Sequence, residues 1–119
     1  MDRGQWMDRI RAACVEAGTY RPFFDDAIDT LAGILERRDI AETMFKNSGG
    51  NVLIEHTNKA GATNMEQNPT LRMINDLNRD ALQYWRDLGL TPAGLRKINE
   101  AAMKAQKRSA LAEALKGIG

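Results

Sequence analysis

A mainly α-helical fold is the class this sequence predicts, and three observations carry the prediction. Apolar residues recur at alternating steps of three and four along most of the 119 residues, the spacing that lines one face of an amphipathic helix. Pro69 and Pro92 each follow a residue able to cap a helix, which places them at first helical positions where a missing N–H costs nothing. Aromatic residues make up 6% and charged residues 28% of the chain, a balance that suits helical surfaces rather than a β-sandwich. The expected architecture is an antiparallel helical hairpin with short flanking helices and a small β-hairpin or irregular loop between the two long helices.

The first element is a short helix over residues 5–17. Trp6, Ile10, Ala13 and Ala17 lie at helical spacing with Met7 and Cys14 beside them, and Gly18 stops the run. Arg21-Pro22 opens a longer helix whose apolar stripe is Phe24, Ile28, Leu31, Leu35, Ala41 and Phe45, broken by Asn47-Ser48-Gly49-Gly50. Arg38 interrupts that stripe. Either its stem packs while its head reaches water, or it serves an inter-subunit salt bridge or a pore-facing charge. Asp25, Asp26 and Asp29 fall within the first two turns, where the helix dipole favours negative charge.

Between the long helices, Val52, Leu53, Ile54 and Thr57 favour extended structure, residues 58–61 form a plausible turn, and residues 62–66 return as a partner strand. An isolated hairpin is marginal in water, so it must pack on its own helices or on a neighbouring subunit. A helix then begins at Pro69, capped by Asn68. Its stripe is Leu71, Ile74, Asn78, Ala81, Trp85 and Leu88, and Gly89 ends it. Thr91 and Pro92 repeat the start signal, so two helices meet at a tight corner. The chain reads as one domain in three stretches: an N-terminal helix (1–20), a helical-hairpin core (21–91) and a basic C-terminal helix (92–119).

The net charge of +1 hides an asymmetry. Residues 92–119 hold six Lys or Arg against two Asp or Glu, whereas residues 1–47 hold seven against nine and residues 48–91 four against five. Lysines and arginines on an alanine-rich helix either form a solvated face or present their cations to phosphates.

Chemistry of other kinds leaves no trace. There is no phosphate loop, no H-E-x-x-H pair, no C-x-x-C and no nucleophile elbow. His56 is the sole histidine and sits in the polar hairpin without Cys, Asp or Glu at zinc-ligand spacing. Neither a catalytic residue nor a metal or other cofactor is expected. Cys14, the one cysteine, cannot form an internal disulfide, and no run of about 18 apolar residues exists to cross a membrane. The opening Met1-Asp2-Arg3-Gly4-Gln5-Trp6 lacks an apolar signal core, which points to the cytoplasm.

The helix start at Asn68-Pro69-Thr70-Leu71 followed by the corner Gly89-Leu90-Thr91-Pro92-Ala93 resembles the phage terminase small subunit, P27 family. The likeness covers roughly the second half of the chain. It implies a ring-shaped homo-oligomer that binds double-stranded viral DNA near its packaging start. The ring would present that DNA to a terminase large subunit carrying both ATPase and nuclease, in the host cytoplasm and without catalysis of its own. In a ring, a tail of +4 per subunit becomes a continuous positive band. On that reading Arg96, Lys97, Lys104, Lys107 and Arg108 face DNA, with Arg3, Arg9 and Arg11 as second choices. Two other readings stay open: an oligomeric adaptor whose basic tail docks on an acidic protein, and a small DNA-binding regulator using the corner as the turn of a helix-turn-helix.

Overall fold

The computed structural model describes residues 1–117. Four helices and one two-stranded ribbon follow in the order α1 (Arg3–Ala17), α2 (Asp25–Asn47), β1 (Leu53–Thr57), β2 (Thr63–Gln67), α3 (Pro69–Asp87) and α4 (Pro92–Lys116). Helix α1 begins two residues before the periodicity does, because Asp2 and Gln5 form a capping box. The Asp2 carboxylate accepts the Gln5 N–H at 2.8 Å, and the Gln5 side-chain oxygen accepts the Asp2 N–H at 2.9 Å. Pro22 opens a single 3₁₀ turn, Pro22–Phe24, which tightens the entry into α2.

Helix α2 is the axis of the molecule. Helix α1 packs along one side of it and α3 along another, antiparallel. Their shared core is built from Trp6, Ile10 and Cys14 of α1, Ile28, Leu31, Ala32, Ile34 and Leu35 of α2, and Ala81 and Leu88 at or beside α3. Full burial of side chains such as Ile10, Ile28, Leu31 and Leu35 contributes about 1.5–3 kcal/mol each. In α3 the stripe runs one residue off the expectation at its middle, where Leu77 packs against the core and Asn78 is exposed.

The acidic start of α2 does more than face a dipole. Arg3 Nε donates to Asp29 Oδ1 at 2.7 Å, Arg11 Nε donates to Asp25 Oδ1 at 3.4 Å, and the Tyr20 hydroxyl donates to the same oxygen at 3.0 Å. These bonds fix the rotation of α1 on α2. Arg38 is also satisfied within the chain. Its guanidinium lies over the Trp6 ring at 5.5 Å and donates to Asp39 Oδ1 at 3.1 Å and to Asn78 Oδ1 at 3.4 Å, a cation–π contact beside an ion pair.

Asp39 closes this cluster by accepting Trp6 Nε1–H at 2.8 Å. Burial alone raises its carboxyl, but the donors Trp6, the terminal amine and Arg38 outweigh that and hold it below its ordinary value. A depressed folded-state value makes the stabilisation complete above the unfolded carboxyl range, about pH 4, and lost as pH falls through the folded value. The stability advantage of the wild type over Asp39→Asn is therefore expected to be flat from pH 7 to 5 and to shrink toward pH 3. Melting curves across that range measure it, and an advantage independent of pH would remove Asp39 from the docking of α1.

The expected hairpin forms, its return strand one residue later than read, and pairs Leu53 with Gln67 through to Thr57 with Thr63. Asn58 shapes its turn, its side-chain oxygen accepting the N–H groups of Ala60 and Ala62 at 3.0 Å each. Only Ile54 and Gln67 of the ten strand residues are even partly buried, so the ribbon projects from the bundle. At the other end α4 projects as well. The molecule measures 84 × 29 × 20 Å with a radius of gyration of 22.1 Å, against roughly 13–14 Å for a compact chain of this length.

Candidate nucleic-acid interface

What aims α4 is the corner that precedes it. Gly89 adopts φ +73°, the left-handed conformation that glycine enters without a Cβ penalty. The Gly89 N–H bonds to the Arg86 carbonyl at 3.0 Å and the Leu90 N–H to the Trp85 carbonyl at 2.8 Å, which satisfies the free end of α3. Thr91 Oγ1 then accepts the Gly94 N–H at 3.0 Å and caps α4. The start and stop signals of the sequence are realised here as read.

Two features of the corner come from distant parts of the chain. Thr19, buried between α1 and α2, donates its hydroxyl to the Leu88 carbonyl at 2.8 Å. That bond ties the corner to the α1–α2 junction. Gly94 packs directly on α3, because a Cβ built there runs into the backbone carbonyl oxygen of Arg86. Only glycine permits this crossing, and with it the direction in which α4 leaves the bundle.

From that crossing α4 runs outward, and every residue from 101 to 117 is exposed. Its 25 residues span about 37 Å at 1.5 Å per residue. Arg96, Lys97, Lys104, Lys107 and Arg108 are all exposed. At 3.6 residues per turn they fall within an arc of about 120°. Leu95 and Ile98, the half-buried residues of the helix, lie on the opposite side. Glu100 is the one acid in the basic arc, and Glu113 points away from it toward Lys116 at 4.0 Å. None of the five arc residues makes an ion pair among the described residues. Their cations are free for an external anion, and phosphate backbones spaced along a duplex are such an anion.

Sequence reasoning missed one neighbour of this arc. Arg86, in the last turn of α3, is exposed and lines a shallow crevice with Lys97, Asp87 and Ile98, which adds a cation near the start of α4. Its position in a last turn is explained by the helix dipole alone, which masks any further role.

The N-terminal arginines fare differently. Arg3 and Arg11 are spent on Asp29 and Asp25, and the Asp25 carboxylate raises the affinity of Arg11 for its proton. Arg9 lies over the Trp6 ring at 5.5 Å and has no carboxylate partner among the described residues. The structure thus separates the second-choice set into two arginines paired with α2 carboxylates and one stacked on Trp6. His56 sits exposed on β1 opposite Asn64, and Cys14 is buried, its thiol pushed up by desolvation, so it packs as a small hydrophobe. Among the described residues no cluster of His, Cys, Asp or Glu is arranged to hold a metal ion, and no helix is long and apolar enough to cross a membrane.

Comparison with known protein families matches residues 4–105 to the family described as phage terminase, small subunit. The matched stretch takes in α1, the ribbon, the corner and the first half of α4, and leaves Lys107 and Arg108 beyond it. No curated protein and no solved structure matches the chain. With most of its length accounted for in this way, and with the corner built as its sequence signals require, the chain belongs to the phage terminase small subunit family.

Proposed function

We propose that the chain is the non-catalytic DNA-recognition and regulatory subunit of a viral genome-packaging terminase, of the P27 type. It assembles into a ring-shaped homo-oligomer, holds double-stranded viral DNA through the basic arc of α4, and presents it to the large subunit that carries ATPase and nuclease. The observation that supports this reading most directly is the arc itself: five exposed cations on one side of an outstretched helix, none of them paired within the described chain. Phosphate contacts of this kind give affinity without base readout, since lysine and arginine meet the backbone wherever it passes.

Two measurements test the proposal together. Native mass spectrometry at moderate salt is expected to show a closed assembly of many subunits. Fluorescence anisotropy with duplexes of unrelated sequence is expected to show similar affinities that fall steeply with salt, with a slope of about −0.9 per phosphate neutralised. Affinity that ignores salt, or a chain that no concentration or DNA converts from a monomer, would defeat it. A dimer that prefers one palindromic site would favour a small transcriptional regulator instead.

A further inference from the structure

Two apolar surfaces of this chain are left unpartnered, and they lie too far apart to meet each other. The first is a groove of about 380 Å³ between α2 and α3, lined by Arg37, Ile40, Ala41, Met44, Met73 and Leu77. Ile40, Met44 and Met73 are 55%, 58% and 55% exposed, although exposing methionine and isoleucine to water costs free energy and methionine adapts readily to an incoming side chain. The second is the end of α4, where Leu111 and Leu115, one turn apart, are 62% and 60% exposed on a helical segment whose residues 101–117 are all exposed.

The shape of the molecule holds the two apart. The groove sits in the half of the bundle next to the ribbon, whereas α4 leaves from the opposite end. Helix α2 is about 35 Å long and α4 about 37 Å, and only an α4 directed away from the bundle gives a molecule of 84 Å with widths of 29 and 20 Å. The tip of α4 therefore cannot reach its own groove. Charge favours a copy of the same chain as the partner. Residues 1–91 hold eleven Lys or Arg against fourteen Asp or Glu, and residues 92–119 hold six against two, so the tail of one molecule is drawn to the body of another.

We propose that Leu111 and Leu115 of each subunit seat in the Ile40–Met44–Met73 groove of the next copy, two leucine anchors one turn apart entering a groove as amphipathic recognition helices do. Groove and tip are different patches, so the contact is head-to-tail and repeats until it closes on itself. The inference rests on the ring reading above and supplies its joint. Leu111 and Leu115 fall inside the arc of about 120° of α4 that carries the basic residues, so its distal cations Lys104, Lys107 and Arg108 border the seam beside the neighbour's exposed Asp80, while Arg96 and Lys97 stand about two to three turns back from it.

The experiment uses two full-length variants, Leu111→Glu with Leu115→Glu (tip-less) and Met44→Glu with Met73→Glu (groove-less), followed by native mass spectrometry and circular dichroism. All four side chains are exposed, so the helical spectrum is expected to be retained in both. Each variant alone is expected to weaken assembly at least a hundredfold and to run as a monomer. Mixed, they are expected to give a one-to-one dimer and nothing larger, because only one intact tip and one intact groove remain to meet. Either variant assembling like the wild type would overturn this joint and leave the ring standing. A mixture that forms no dimer while both partners are folded would also overturn it. A wild type that stays monomeric at every concentration would remove the ring reading and this joint with it.

Discussion

Gly94→Ala is expected to lower the melting temperature by up to roughly 8 °C and to swing α4 off its course. Helix propensity alone predicts the opposite sign, because alanine in place of glycine inside a helix gains about 1 kcal/mol. The packing argues otherwise: the added methyl runs into the backbone carbonyl oxygen of Arg86, and a backbone atom cannot step aside as the end of a flexible side chain can. Overpacking of this kind costs about 1–3 kcal/mol or more. At some 4 °C per kcal/mol for a chain of this size, the net loss is readily measured by calorimetry. Opening the α3–α4 crossing relieves the clash but gives up the contacts of Leu90 and Ile98 around the corner, and small-angle scattering would record the altered maximum dimension. A raised melting temperature with unchanged shape would mean that α4 does not press on α3 at Gly94. Gly89→Ala is a milder companion. There φ is +73° and the methyl would stand 2.7 Å from Ile98 Cδ1, a side-chain end that can yield, and 2.9 Å from Cγ2 of Thr19, which its bond to the Leu88 carbonyl holds in place.

Reversing Lys104, Lys107 and Arg108 to glutamate is expected to weaken duplex binding at least a hundredfold near 0.1 M salt and to flatten its salt dependence by about one unit of slope per lost phosphate contact. The fold should be indifferent to the change, because the three side chains are exposed and surface substitutions of this kind fall within about 0.5 kcal/mol. Lys116→Glu supplies the control. Lys116 lies outside the basic arc and next to Glu113, so its reversal is expected to cost far less affinity than any arc residue. Subunit number must be followed in the same samples, since Lys104 and Arg108 also approach the proposed seam between copies. Full affinity in the triple variant would remove α4 from the interface and leave Arg9, which has no acidic partner among the described residues, as the next candidate.

What the sequence determined by itself is the set of elements and their ends. Asn68 capping at Thr70, the left-handed Gly18 and Gly89, the Thr91 cap and the Asn58 turn are each made by residues two to four positions apart. Such hydrogen bonds depend on local geometry alone, so their signals are legible in order along the chain. The basic arc was legible for the same reason, since helical period fixes which side each residue faces.

Tertiary structure decided what local signals cannot encode. Asp25 and Asp29 read as dipole partners, yet they hold Arg11 and Arg3 from 14 and 26 residues away, and in doing so withdraw two arginines from the candidate interface. Thr19 carries no local cap or turn signal, but its hydroxyl anchors a carbonyl 69 residues distant. Gly94 looks like a weak helix residue until α3 is laid against it. The outward course of α4, and hence the freedom of its cations and leucines, follows from that one close approach, because excluded volume between two helices depends on where the rest of the chain has placed them.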